Sequence, residues 1–571
     1  MFRTRWSERR RARPSAAPES EHPRLRDSVA LVAPSARTGT AWLVTADDVP
    51  VARVPGATAE AMRLLDGSRS LPEIRVLLTA DADELDALVA RLRSTGLLDG
   101  TRVRGGRGVI RVIPPLTLQI ASSCAAPAFA HVADMLRPIL RSPAGRRAFL
   151  VLLAVLLLAG VAAGLVLAPA IADLLARPLE LTSLAAVGLA LLFATALHEL
   201  AHGVVLHLAG GTARRAGFMV FYLSPAFFVD VTDSWRLASR HRRAAVALAG
   251  PAVHAAAASA AVLVALGLPV GPVRDAVLGF GLAAAGVSLF NLLPFVRFDG
   301  YFALVAATDT PRLRQRALDA LDALVVGAAG DRRPWLLVLG LGSLVVPVVL
   351  VLAALERLTR AASSTGPAGS ALVLALGILL IVIAVRRCGR WIARPDGRRR
   401  RRVALLAGAV LVGLLAGVLI RVPSVVSVGF VRAPEGAWLV SSDPAALSAL
   451  ATGSEVRLET RGLVRHDEVG RGVVGAPGGT GPVAAPLESL APVRAGDALV
   501  PVSSRRLLLA GGAAPPPTGA AVVRTGGDRP LLIAALLDPI RALVPVDVLL
   551  GGGDASADPP HTPHRESREM P

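Results

Sequence analysis

LAAVGLALLFATALHELAHGVVLHL, residues 184–208, is an apolar run broken by a single turn of ionisable side chains. A helix of this length exceeds the ~30 Å needed to cross a hydrocarbon layer. His198 and His202 are four residues apart, so both imidazoles leave one helix face, with Glu199 beside them. Three ionisable groups on one turn of a spanning helix are costly unless partnered, and a bound metal supplies the partner. The His-Glu-x-x-His spacing is that of zinc sites in which Glu acts as a base toward water. A catalytic zinc takes three protein ligands and leaves one position open, so two histidines leave one ligand to be found.

Outward from this run the composition fits a membrane protein. Of 571 residues 53% are hydrophobic, and the mean hydropathy is positive. Apolar runs at 148–172, 184–208, 244–268, 276–295, 335–355, 370–385 and 403–420 predict a polytopic α-helical membrane protein of about seven spans. The net charge of +19 is carried by Arg, since the chain has no Lys. These Arg cluster between apolar runs and not on an aromatic-rich face, which argues against a nucleic-acid partner. Arg146 and Arg147, residues 214–243, residues 312–333 and residues 386–402 alternate with Arg-poor loops, which carry Arg177, Arg274, Arg357 and Arg360. The positive-inside rule then sets the N-terminus in the cytoplasm, as in a bacterial cytoplasmic membrane, and the region after the seventh span outside. Cys124 and Cys388 are too few for a disulfide framework. The Arg-rich start has no apolar stretch behind it and does not read as a cleaved signal.

The third ligand must come from another span at similar depth, and the fourth ends in NLLPFVRFDGY, residues 291–301. Asp299 is the candidate there. The pair of motifs resembles the site-2 protease family of intramembrane metalloproteases, in which HExxH on one helix is joined by N-x-x-P and D-G on a later one. By that resemblance His198, His202 and Asp299 bind Zn2+, Glu199 is the general base of peptide-bond hydrolysis, and Asn291 positions substrate or stabilises the oxyanion. Competing readings make Asp299 a helix cap and Asn291 a partner for carbonyls freed by Pro294. GFMVFYLSPAFFVDV, residues 217–231, is too short to span and too apolar for a free loop. It is expected to re-enter the membrane interface and, by the resemblance, to offer strand edges to substrate. Asp230 and Asp233 either hold this element, meet basic substrate residues or make turns. In AGPAVH, residues 249–254, His254 stands where the family often has Asn, and its role is open. His207 points off the metal face.

Ahead of the spans, LLDGSRSLPEI (64–74) and LRSTGLLDG (92–100) lie in a segment with helix-cap spacings at Ser70/Glu73 and Asp81/Glu84. Leu85, Leu88, Val89 and Leu92 recur at helical spacing, and Gly96 is placed to end that helix. A winged helix is expected, with a hairpin at 42–44 and 51–54. The pattern resembles PqqD-like domains that hold leader peptides of ribosomally made natural products; a regulatory or merely structural winged helix is the alternative. The division expected is a disordered tail (1–26), PqqD-like domain (27–101), linker (102–147), catalytic core (148–306), further membrane helices (307–420), extracytoplasmic β-rich adaptor-like domain (421–550) and disordered tail (551–571). The β-rich part resembles biotinyl-lipoyl-like modules but lacks their lysine. Together these imply a protease in the lipid bilayer that removes the leader from a precursor peptide, as for daptide-like pathways. Regulated cleavage of a membrane-anchored signalling protein and noncatalytic peptide export are the alternatives, and the oligomeric state is open.

Overall fold

The structure is a computed structural model, and it describes residues 22–33, 42–46, 49–78, 82–95, 97–99, 110–113, 117–122, 126–213, 215–221, 224–310, 312–362, 367–395, 397–477, 481–511, 514–531 and 533. The chain divides into two compact units, Met1–Pro169 with Ser183–Gln315, and Ala170–Thr182 with Arg316–Pro571.

In the first unit, β1 (Val29–Val32), β2 (Trp42–Ala46) and β3 (Val49–Val54) form an antiparallel sheet in that order. Helices α1 (Gly56–Arg63), α2 (Leu71–Leu78) and α3 (Ala82–Ser94) follow. Val44, Met62, Ile74, Leu85, Val89 and Leu92 form one core, so the apolar spacing of α3 is its buried face. The Ser70 N–H donates to the Glu73 carboxylate at 2.8 Å, closing the expected cap and holding that carboxyl below its ordinary range. Arg24 and Leu25 bridge to Asp66 and Leu98, so the folded module takes in residues expected in the tail. Asp81, Gly96 and the tail 551–571 lie outside the described residues.

The segment expected as a linker instead holds β4 (Ile110–Ile113), β5 (Thr117–Ser122) and α4 (Ala126–Arg141). The first span is α5 (Pro143–Val166), started by Ser142, whose hydroxyl accepts the Gly145 N–H at 2.8 Å. Next, α6 (Ala168–Ala176) and β6 (Leu179–Glu180) lead to α7 (Leu181–Leu208), which carries the histidines. The run 217–231 forms a hairpin of β7 (Ala216–Phe221) and β8 (Ser224–Val229), and β7 also pairs with β5. The sheet order is β4-β5-β7-β8, which leaves β8 at an edge. A 3₁₀ turn, Thr232–Arg236, connects it to α8 (Arg240–Gly267), followed by α9 (Pro272–Asn291) and α10 (Asp299–Thr308). Helix α8 is the most enclosed of the long helices and packs against α5, α9 and α10. β3 lies against the 3₁₀ turn.

The second unit contains α11 (Leu313–Val326), α12 (Pro334–Ala362), α13 (Pro367–Ile392) and α14 (Arg399–Leu419), α11 entering it from Arg316. Asp322 of α11 accepts the Trp391 indole N–H at 2.5 Å, Arg394 at 2.7 Å and the buried Arg402 at 3.1 Å. Part of the 386–402 Arg cluster therefore ties three helices together.

Among the described residues six helices are long and apolar enough to cross a membrane: α5, α7, α8, α9, α14 and Pro334–Leu355 of α12. Such a set marks a multi-pass membrane protein. Leu152 and Leu158 of α5, 68% and 71% exposed, present the kind of surface that only lipid or another apolar partner covers. The remaining expected span, 370–385, is helical within α13 but is not among the six.

After α14, strands Val425–Ala433, Gly436–Ser441, Glu455–Glu459, Glu468–Val474, Ser503–Leu509 and Thr518–Arg524 close into a barrel. Their order around it is first, second, fifth, fourth, third, sixth, with every pairing antiparallel. Closure leaves no strand edge, and Phe430, Leu439, Leu458 and Val523 fill the interior. The Arg461 guanidinium donates to the carbonyls of Leu490 (3.0 Å) and Val428 (2.8 Å), and burial pushes it down to about 10. Because Leu458 is fully buried, Leu458→Ala is expected to destabilise the barrel by about 2–5 kcal/mol, read as a lower unfolding midpoint of the purified protein.

Candidate metal centre

His198 and His202, one turn apart on α7, both point their Nε2 atoms at Asp299, the first residue of α10. His198 Nε2 lies 3.1 Å from Asp299 Oδ2, His202 Nε2 3.4 Å from Oδ1, and the two Nε2 atoms are 3.2 Å apart. Metal bonds of ~2.05 Å in a tetrahedron give ligand-to-ligand edges of roughly 3.3 Å, so these separations match those of donors sharing one divalent ion. Both histidines are buried, and the carboxylate is partly exposed.

The tautomer is set from outside. His202 Nδ1 lies 2.7 Å from the Val246 carbonyl, which can only accept, so Nδ1 carries the proton and Nε2 keeps its lone pair for a metal. Val246 belongs to α8, and one turn on Gly250 faces both rings. A Cβ there would lie 2.4 Å from each Nε2. A glycine inside a helix costs conformational entropy, and here it lets the α8 backbone reach the donors. Gly300 does the same for Asp299, since a Cβ at Gly300 would meet the Leu292 carbonyl oxygen at 2.1 Å. The D-G pair thus closes the turn after α9 tightly enough to start α10 at the metal donors.

Glu199 does not belong to the donor group. It lines a cavity of about 370 Å³ together with His202, Asp299, Val229, Trp235 and Phe302. Val229 of edge strand β8 lines the same cavity, so the carboxyl-bearing turn of α7 and that strand border one space. Arg243 also borders the cavity and is buried. Its guanidinium donates to the carbonyls of Leu237 (2.6 Å) and Ala238 (3.1 Å) and pairs with Asp309, joining α8, the end of the 3₁₀ turn and the end of α10.

Of the residues singled out in the sequence, His198, His202 and Asp299 are brought together and Glu199 is placed beside them. Asn291 ends α9, is partly exposed and does not line the cavity. Asp230 makes a turn, accepting the Thr232 N–H at 3.1 Å. Asp233 accepts the Thr212 N–H at 2.8 Å and fastens the loop after α7. Both acids therefore hold the element, and Asp230 in addition borders the cavity. His254 is fully buried beside His198 and outside the donor group. Sequence reading missed Val246, Arg243 and the cradle at Gly250; an interior glycine next to Pro251 was the available signal of close backbone approach. Compared with protein-family models, curated proteins and solved structures, the chain matches none of them.

Proposed function

We propose that the chain is an intramembrane zinc metalloendopeptidase of the site-2 protease kind that removes the leader from a ribosomally made precursor peptide. The convergence of His198, His202 and Asp299 beside Glu199 is the observation that carries this reading. Two neutral imidazoles and a carboxylate are a donor set suited to zinc, which when bound supplies Lewis acidity and lowers the pKa of water. Glu199 takes the proton of the attacking water, whose oxygen bonds to the peptide carbonyl carbon. As the C–N bond breaks, Glu199 passes that proton to the leaving amine nitrogen. The open edge of β8 holds the substrate extended by main-chain hydrogen bonds, beside the cavity that Val229 and the base Glu199 both line. Asn291, partly exposed at the end of α9 and outside the cavity, is given no role in this step.

Leader recognition falls to the N-terminal module. Its edge strand β3 lies against the 3₁₀ turn whose Thr232, Ser234 and Trp235 border the cavity, which favours coupled binding and cutting. Helix α13 is assigned as a further span, sixth in chain order, which brings the count to seven. Helix α12 starts just after α11, while Trp391 near the end of α13 bonds back to Asp322 of α11, so a crossing by α12 has to be reversed by α13. With the N-terminus cytoplasmic, the barrel then lies outside.

The test is incubation of the solubilised protein with precursor peptides encoded at the same locus, with and without a zinc chelator. Fragments ending at the leader boundary, lost with chelator and restored by zinc, are expected in the mass spectrum. Intact precursors under all conditions would rule the activity out.

A further inference from the structure

His254 has no side-chain exposure, and neither ring nitrogen has a hydrogen-bond partner among the described residues. The same holds for Nδ1 of His198. The two rings are neighbours, with centroids 5.1 Å apart and planes inclined at 52°. Buried polar atoms left without partners are costly, and two such groups side by side in one core point to each other. His202 already has its outer partner in Val246, whereas His198 lacks one.

We propose that His254 is the positioning residue for His198: one of its ring nitrogens accepts the His198 Nδ1–H once Nε2 is committed to a metal. A histidine that ligates through Nε2 carries its proton on Nδ1 and needs an acceptor there to fix its tautomer and ring plane. His254 can serve because it sits four residues after Gly250, on the α8 face turned toward the donors. It does not coordinate in this arrangement, since the mutually close donor atoms come from His198, His202 and Asp299. At a centroid separation of 5.1 Å, ring nitrogens turned toward each other come within hydrogen-bond reach. The assignment rests on the metal reading above.

The experiment measures zinc affinity of the purified full chain by competition with a chromophoric chelator, and records the visible spectrum of the Co2+-loaded protein. Unmodified protein, His254→Ala, His254→Phe, His254→Gln and His202→Ala are compared. His254→Ala and His254→Phe are expected to weaken zinc ~10–100-fold, the range for loss of an outer partner, while the Co2+ band positions stay those of the unmodified protein. His254→Gln, whose side-chain oxygen still accepts, is expected to recover most of the affinity. The Phe variant fills the space, so a loss there at unchanged thermal stability is not a cavity effect. Equal affinity in all His254 variants would overturn the proposal, and so would a band shift like that of His202→Ala, which would make His254 a ligand. If the unmodified protein binds neither ion, the metal reading itself falls.

Discussion

Glu199→Gln is expected to reduce precursor cleavage by ~10²–10⁴-fold, the usual worth of a positioned general base, while metal content stays at the level of the unmodified protein. The separation follows from the geometry. Glu199 lines the cavity but stands outside the His198, His202 and Asp299 group, so its loss removes proton transfer and leaves the donors in place. Gln keeps the side-chain volume, so the cavity wall that Val229 and Trp235 share with it should not move. The check is a time course of product by mass spectrometry beside elemental analysis of the same sample. A noncatalytic export role predicts transport unaffected by this change. Loss of metal together with activity would instead make Glu199 part of the metal group.

Gly250→Ala is expected to be nearly as severe by a different route. The added Cβ would sit 2.4 Å from both Nε2 atoms, far inside van der Waals contact. Neither side yields easily: His202 is pinned through Nδ1 to Val246 on the same helix, and α8 is packed against α5, α9 and α10. The imidazoles must turn away from Asp299, so zinc affinity should fall by more than the ~10–100-fold seen for outer-partner losses, and activity with it. Gly188→Ala on α7 is the control, because a Cβ there meets nothing within 4 Å. It should bind metal and cut as the unmodified protein does, since Ala is also the better helix former. Normal zinc affinity in Gly250→Ala would mean the helices are farther apart than 2.4 Å implies.

The sequence was readable where structure is local. Burial of Leu85, Val89 and Leu92 follows from helical periodicity, and the Ser70–Glu73 cap follows from a spacing of three. The apolar runs mark the long helices because length and composition suffice to define a span. The four-stranded sheet was not readable. Pro114-Pro115 and the alternation of Leu118 and Ile120 with Thr117 and Gln119 were local signals of β4 and β5, but nothing local announces the pairing of β5 with β7 about a hundred residues later. The barrel was legible as β-rich sequence, but its closure depends on pairing the first and sixth strands, which no local pattern encodes.

For the metal centre the division is the same. The pitch of one helix obliges His198 and His202 to share a face, and that much needs only their spacing of four. Bringing Asp299 to them across about a hundred residues required α8 to pass without a side chain at Gly250 and the turn after α9 to close over Gly300. Backbone pitch is a property of each residue and its near neighbours, whereas convergence of distant donors is a property of packing, which only the folded chain decides.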